Sequence, residues 1–192
     1  ITGPQRLSGE YKIQGTKNAA TPIIAATLLI PEECVIDNVP RVADVDKMLK
    51  IIESLGAAVS WTGSHQLTIN AQNITLPTLD EQLVKTMRSS VLLVGPLLAR
   101  FSEVRIPEPG GCFLGNRPLD THLEVVRQFG GTVSAITNSQ GKTDYQLNIS
   151  KLQGATITLP EFSVTATENA IMLGVLAPGE TLIKLAAGEP HV

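Results

Sequence analysis

The segment 109–122, PGGCFLGNRPLDTH, combines a thiol, a guanidinium, a carboxylate and an imidazole with two adjacent glycines. Cys112 could act as a reactive thiol if nearby positive charge lowers its pKa, but a lone cysteine is commonly a small, inert core residue. Arg117 is suited to bidentate binding of a phosphate or carboxylate. Gly110 and Gly111 let the backbone adopt positive φ or approach a ligand closely. The segment therefore predicts a flexible loop, in which Cys112 is either a reactive thiol or an inert core residue.

The residues that end this loop also have two possible roles each. Arg117-Pro118 could stack flat on a planar base, with Asp120 accepting a hydrogen bond from the base. Asp120 could equally be the N-cap of a helix predicted over 121–129, which is the default role of aspartate at such a position. His122 lies in the first turn of that helix, where a histidine is more often a surface residue than a catalytic one.

Polar residues open each of three apolar segments of the chain. These residues are Lys17 and Asn18 in the first segment, Lys85 and Arg88 in the second, and Thr165, Thr167, Glu168 and Asn169 in the third. Because helix N-termini carry free N–H groups and the positive end of the dipole, they attract anions. Cations placed there oppose the dipole, and an anionic ligand would explain them. The alternative is that the lysine simply points into solvent.

Composition argues against several classes of function. A net charge of -3 and a pI near 5.6 leave no basic face for nucleic acid. The apolar stretches 23–30 and 91–99 are too short to span a bilayer, so we expect no membrane insertion. The opening residues, ITGPQRLSGE, show no secretory signal, and two cysteines favour a cytoplasmic protein with free thiols. No His/Cys cluster has metal-ligand spacing and no phosphate-loop motif is present, which predicts neither a metal nor a cofactor.

The chain also contains an internal repeat. Its copies lie roughly 70 to 80 residues apart, which is longer than the common solenoid repeats. Each copy predicts a helix, a strand, an amphipathic helix and two strands, and a further strand (EYKIQG, ATITLP) precedes each round. Apolar residues at 48, 49, 51, 52 and 55 have helical spacing. The matching segments are 16–36 with 85–106, DKMLKIIESLGAAVS (46–60) with DTHLEVVRQFGGTVS (120–134), and HQLTINA (65–71) with YQLNISK (145–151).

The repeat predicts the domain organisation. We expect an α/β (α+β) fold in which these units form one domain over 17–192, preceded by an N-terminal strand segment, 1–16. Gly56 and Gly130 end the amphipathic helices and suit the left-handed C′ position. A third copy begins at 165–185, so the domain is expected to be incomplete at its C-terminal end, although a complete domain with a frayed end is the alternative.

Four ordered motifs carry a resemblance to a known family: GTKNAA (15–20), KTMRSS (85–90), PGGCFLGNRPLDTH and SVTATEN. Together they closely resemble the UDP-N-acetylglucosamine enolpyruvyl transferases over essentially the whole chain. The resemblance implies six such repeats in two inside-out α/β domains, with the active site in the cleft between them. It also implies transfer of the enolpyruvyl group of phosphoenolpyruvate to the 3′-hydroxyl of UDP-N-acetylglucosamine, releasing phosphate, in cytoplasmic peptidoglycan synthesis. This chain would need a C-terminal half for turnover.

The resemblance implies specific roles for the candidate residues. Lys17 matches a lysine that binds the phosphate of phosphoenolpyruvate, and Asn18 an asparagine that contacts the amino sugar. Cys112 matches a mobile-loop cysteine that adds to phosphoenolpyruvate, is alkylated by fosfomycin and serves in proton transfer or product release. The remaining matches are Arg88 and Arg117 for phosphates, Pro118 and Asp120 for the uracil end, with His122 nearby, and Ser163 and Val164 for the diphosphate.

Two positions depart from the family, and two alternatives remain. Glu161-Phe162 precede the Ser163 turn where the family often has a lysine, and Thr165 stands where many members have glycine. The shikimate-pathway enolpyruvyl transferases share the fold, although the PGGC loop favours the amino-sugar enzymes. A non-catalytic domain that binds a nucleotide sugar, or serves only as a structural half, is the alternative from another class.

Overall fold

The predicted order of helices and strands occurs twice in the chain. The computed structural model describes residues 3, 4, 6, 8–75, 78–109, 119–138 and 140–192. The first unit contains α1 (Lys17–Ala26, continued by a 3-10 turn at Thr27–Leu29), β1 (Glu33–Ile36), α2 (Ala43–Ser54), β2 (Ala58–Trp61) and β3 (Leu67–Asn70). The second contains α3 (Glu81–Val84), a 3-10 turn (Arg88–Leu93), α4 (Val94–Phe101), β4 (Glu103–Pro107), α5 (Asp120–Gln128), β5 (Thr132–Thr137) and β6 (Thr143–Asn148). The third contains β7 (Thr156–Thr158), α6 (Val164–Leu176) and β8 (Leu182–Lys184).

The first two units form equivalent antiparallel sheets. In each, the last strand lies in the centre, which gives the orders β1-β3-β2 and β4-β6-β5. The third unit contributes β7 and β8, which pair in parallel. The repeat and the α/β class predicted from the sequence are therefore confirmed.

The strand register corrects one detail of the repeat. Asn70 of β3 and Asn148 of β6 occupy the same place in their ladders, since they pair with Ala58 and Thr132, the first residues of β2 and β5. The sequence comparison had aligned Thr68 with Asn148, two residues out of step. Because side chains alternate between the two faces of a strand, a shift of two residues keeps the same inward face. The apolar pattern alone therefore cannot detect the error.

The amphipathic helices end as predicted. Met48, Leu49, Ile51 and Ile52 of α2 are buried, as is Leu55 just after it. The glycines that follow α2 and α5 have positive φ, 104° at Gly56 and 81° at Gly130. Since this left-handed conformation is unfavourable for residues with a Cβ, glycine ends each helix at little cost.

The second apolar segment differs from the single helix that was predicted. Residues 88–93 form a 3-10 turn, and the α-helix begins only at Val94. Pro96 favours this start, because proline lacks an N–H and is best tolerated in the first turn of a helix, where no intrahelical donor is needed. As the third residue of α4, Pro96 satisfies that condition.

The helices that open the three units pack on one another. α4 packs against α6, and α1 contacts both α6 and the 3-10 turn before α4. Their buried side chains join those of the sheets in one core that includes Ile24, Leu28, Leu93, Leu97, Leu98, Ala166, Ala170 and Leu173. Cys34 on β1 is half-buried, at the margin of this core.

The segment EYKIQG (10–15), predicted as the first strand, is not a strand in this chain. It pairs with no strand in the described part of the molecule, and Tyr11 and Ile13 are 83% and 80% exposed. An isolated segment cannot satisfy its backbone groups in a ladder without a partner edge. The corresponding segment of the third unit, β7, has that partner in β8.

Candidate functional site

The N-terminus of α1 presents Lys17 and Asn18, two of the predicted site residues. Thr16 caps the helix, its hydroxyl accepting a hydrogen bond from the Ala19 N–H at 3.3 Å. Lys17 Nζ lies 2.5 Å from Asp44 Oδ2 of α2, and both side chains reach solvent. Asn18 is exposed. Asp44 therefore holds a cation at a helix N-terminus, where an anionic ligand would compete for it.

The N-terminus of α6 is built in a similar way. Ser163 is its N-cap, and the hydroxyl accepts from the Ala166 N–H at 3.3 Å. The carbonyl of Ser163 accepts from both the amide and the hydroxyl of Thr167. The first N–H groups of any helix have no intrahelical acceptor, and no described residue accepts from those of Val164 and Thr165 at this half-buried end of α6.

His122 lies beside this helix end and is only 6% exposed. Its Nε2 lies 3.2 Å from Thr165 Oγ1, and its Nδ1 lies 2.9 Å from Asn169 Nδ2. Burial, and secondarily the positive charge of Arg88, lower the pKa of His122 from 6.5 to about 4. The expectation of a surface histidine is therefore wrong, and His122 is an uncharged group at neutral pH.

Asp120 does not cap α5, so the N-cap role predicted for it from the sequence is wrong. Leu119 is the N-cap, and Asp120 is the first residue of the helix, with an exposed side chain. The helix begins one residue earlier than predicted, so the carboxylate lies within the first turn, where the helix dipole favours it. Its side chain remains available to a ligand.

The structure thus brings Arg88, His122 and the Ser163–Thr165 turn together. Arg88 begins the 3-10 turn and is half-buried, close enough for its charge to act on His122. Cationic charge, a buried imidazole and open helix N–H groups form a surface suited to an anion. Cys112, Arg117 and Pro118, predicted to complete it, lie outside the described residues and stay predictions.

Two buried polar residues of α6 were noted in the sequence only as polar residues opening an apolar helix. Asn169 is 1% exposed and makes hydrogen bonds to α5, α4 and the preceding turn. Glu168 is 6% exposed, and its Oε1 has no hydrogen-bond partner among the described residues. Burial, and secondarily the nearby Glu189 carboxylate, raise the pKa of Glu168 from 4.5 to about 7. The signal in the sequence that could have identified Glu168 and Asn169 is a pair of adjacent polar residues within an apolar helix.

Within the described part of the chain, no group of three or more His, Cys, Asp or Glu side chains could hold a metal ion. None of the described helices combines the length and the apolar character needed to cross a membrane.

The chain is similar to known sequences along its whole length. The family model described as EPSP synthase (3-phosphoshikimate 1-carboxyvinyltransferase) matches residues 1–192. A UDP-N-acetylglucosamine 1-carboxyvinyltransferase of Dichelobacter nodosus is 44% identical over all of this chain and 45% of its own length. One from Bradyrhizobium diazoefficiens is 44% identical, over all of this chain and 43% of its own length. The chain therefore spans less than half the length of these relatives.

Solved structures share the fold. The enolpyruvyl transferase NikO from Streptomyces tendae superposes with a TM-score of 0.78 at 22% identity, covering 99% of this chain and 43% of NikO. EPSP synthase from Acinetobacter baumannii gives a TM-score of 0.71 at 17% identity, covering 95% of this chain and 42% of that enzyme.

Proposed function

Because this chain belongs to the EPSP synthase (3-phosphoshikimate 1-carboxyvinyltransferase) family, we propose that it forms one side of the active site of an enolpyruvyl transferase acting on UDP-N-acetylglucosamine. The observation that carries the choice of acceptor is the 44% identity, over the whole chain, to enzymes named for that substrate. The reaction transfers the enolpyruvyl group of phosphoenolpyruvate to the 3′-hydroxyl of the amino sugar and releases phosphate. It would serve peptidoglycan synthesis in the cytoplasm.

The α6 turn is proposed to receive the diphosphate of the nucleotide sugar. The backbone N–H of Val164, in the turn that begins at Ser163, can donate a hydrogen bond to a phosphate oxygen. The charge of Arg88 raises the positive potential at the same place. His122 supports this role as a neutral N–H donor, since its lowered pKa keeps it uncharged. Asp120, exposed at the start of α5, would bind the uracil end together with Arg117 and Pro118.

Lys17 and Asn18 are proposed to bind phosphoenolpyruvate and the amino sugar. Lys17 would leave Asp44 for the phosphate, which carries more negative charge than a carboxylate. Protonation of C3 of phosphoenolpyruvate gives oxocarbenium character at C2, which the sugar hydroxyl attacks; loss of phosphate from C2 and of a proton from C3 then restores the double bond. Cys112 is proposed as a proton-transfer group, since a thiol is one of the side chains that can act as a general acid or base.

The remaining length of the relatives is proposed to supply the rest of the cleft. A base for the sugar hydroxyl and a cation for the phosphoenolpyruvate carboxylate are needed, and we place both in the second half. The exposed Tyr11 and Ile13 of the 1–16 segment are proposed to pack against that half. The 192-residue chain alone is therefore expected not to turn over, and normal turnover by it would contradict this proposal.

Two measurements test the function. Phosphate release by the complete enzyme with phosphoenolpyruvate should depend on UDP-N-acetylglucosamine, whereas dependence on 3-phosphoshikimate would favour the acceptor that names the family. Intact-mass analysis after fosfomycin treatment should show one adduct on Cys112, formed faster when UDP-N-acetylglucosamine is present. No adduct on Cys112, or no phosphate release with either acceptor, would contradict the catalytic proposal and favour a binding or structural domain.

A further inference from the structure

The amide of Asn169 joins three elements, and its orientation is determined by one of them. The Gly95 N–H of α4 donates to Asn169 at 2.7 Å, and a backbone N–H can donate only to the amide oxygen. Oδ1 therefore faces Gly95, and Nδ2 faces the other two partners. These are the carbonyl of Val91 at 3.0 Å and Nδ1 of His122 at 2.9 Å.

This orientation determines which nitrogen of His122 carries the proton. Asn169 Nδ2 is a donor only, so His122 Nδ1 must offer a lone pair to it. The single proton of the neutral imidazole then lies on Nε2, which points at Thr165 Oγ1 at 3.2 Å. A proton on Nδ1 would face the Asn169 N–H group and leave that buried donor unsatisfied, which is unfavourable.

The residues packed around Asn169 leave little room for its side-chain amide to adopt another orientation. Asn169 and His122 are 1% and 6% exposed. A Cβ added at Gly95 would lie 2.7 Å from Asn169 Oδ1 and 2.8 Å from its backbone oxygen. The absence of a side chain at Gly95 thus lets α4 approach α6 closely enough for the hydrogen bond that orients the amide.

We propose that Asn169 is a positioning residue that holds His122 in the tautomer carrying its proton on Nε2, so that this N–H donor faces the first turn of α6. This inference rests on the proposed function, because the ligand for that turn is the diphosphate of a nucleotide sugar. Thr165 Oγ1 accepts a hydrogen bond from the Nε2–H group. A bound phosphate oxygen at the turn takes the same donor, alongside the N–H groups of Val164 and Thr165.

The proton positions are measured directly by two-bond ¹H–¹⁵N correlation spectra of the histidine rings in the 192-residue chain at pH 7. His65→Gln and His191→Gln, which change the other two histidines, assign the His122 signals by exclusion. We expect an unprotonated Nδ1 and a protonated Nε2. A proton on Nδ1 in the unsubstituted chain would overturn the inference without any further variant.

Two substitutions show whether Asn169 or Thr165 determines the tautomer of His122. Asn169→Asp keeps an acceptor for Gly95 but replaces the Nδ2 donor with a carboxylate oxygen, so Nδ1 of His122 should become protonated. Thr165→Val keeps the branched shape, removes the acceptor, and should leave the unprotonated Nδ1 unchanged. An unprotonated Nδ1 in Asn169→Asp, or a protonated one in Thr165→Val, would show that Asn169 does not set the tautomer.

Binding of UDP-N-acetylglucosamine to the complete enzyme, measured by calorimetry, connects the tautomer with the site. Asn169→Asp should weaken binding by at least about 10-fold, the typical loss of one hydrogen bond to a charged group. Unchanged affinity, with the proton moved to Nδ1, would refute the role in binding. Absence of binding by the unsubstituted enzyme would instead count against the proposed function, while the ring spectra would still decide the tautomer.

Discussion

Replacing Glu168 with glutamine should stabilise the protein above neutral pH. Glu168 lies in α6 with Oε1 buried and without a hydrogen-bond partner among the described residues. Burial, followed by the Glu189 carboxylate, raises its pKa to about 7. Ionising this group in the folded protein is therefore unfavourable, and Glu168→Gln removes the ionisation while keeping the shape of the side chain.

The magnitude follows from the change in pKa on folding. Between pH 4.5 and about 7 the folded protein binds a proton that the unfolded chain has released, so stability falls as pH rises through this window. A shift from 4.5 to about 7 corresponds to about 3 kcal/mol once both states are ionised. Glu168→Gln should thus be more stable than the unsubstituted protein by up to about 3 kcal/mol at pH 8, with little difference at pH 4.5.

The assay is urea unfolding at a series of pH values, comparing the difference in free energy between the two proteins. Glu180→Gln, which changes an exposed carboxylate after the same helix, controls for the loss of one negative charge. The difference in free energy of unfolding between the two proteins is compared, because His122 makes stability rise with pH over part of the range in which Glu168 makes it fall. A difference that does not grow between pH 4.5 and pH 8 would refute the reasoning.

Three further substitutions test other parts of the structure. His122→Gln should remove about 3 kcal/mol of the destabilisation that acid causes. The pKa of His122 is lowered to about 4 in the folded protein, so the unfolded state takes up a proton first as the pH falls from 6.5. An unchanged dependence of the free energy of unfolding on pH between 6.5 and 4 would contradict this. Gly95→Ala should lower the free energy of unfolding in urea by about 1–3 kcal/mol, because its Cβ would meet Asn169, and an unchanged midpoint would exclude that clash. Lys17→Gln should cost under about 1 kcal/mol in the same assay, because its ion pair with Asp44 is exposed, yet weaken phosphoenolpyruvate binding to the complete enzyme by about 10-fold or more in calorimetry. Unchanged binding would remove Lys17 from the proposed site.

The sequence alone determined the features that depend on local pattern. The spacing of apolar residues at 48, 49, 51, 52 and 55 predicted the buried face of α2, because a helix repeats about every 3.6 residues. Gly56 and Gly130 predicted the ends of two helices, because a left-handed residue there favours glycine.

The tertiary structure decided what depends on residues far apart in the chain. His122 is exposed or buried only according to which helix packs over it, and its partners, Thr165 and Asn169, lie more than 40 residues away. The register of β6 was equally undetermined, because a shift of two residues keeps every inward side chain facing the core. The charge of Glu168 depends on its burial and on Glu189, whose segment returns to α6 only in the fold. Local patterns specify local geometry, whereas burial, tautomer and pKa arise from long-range packing.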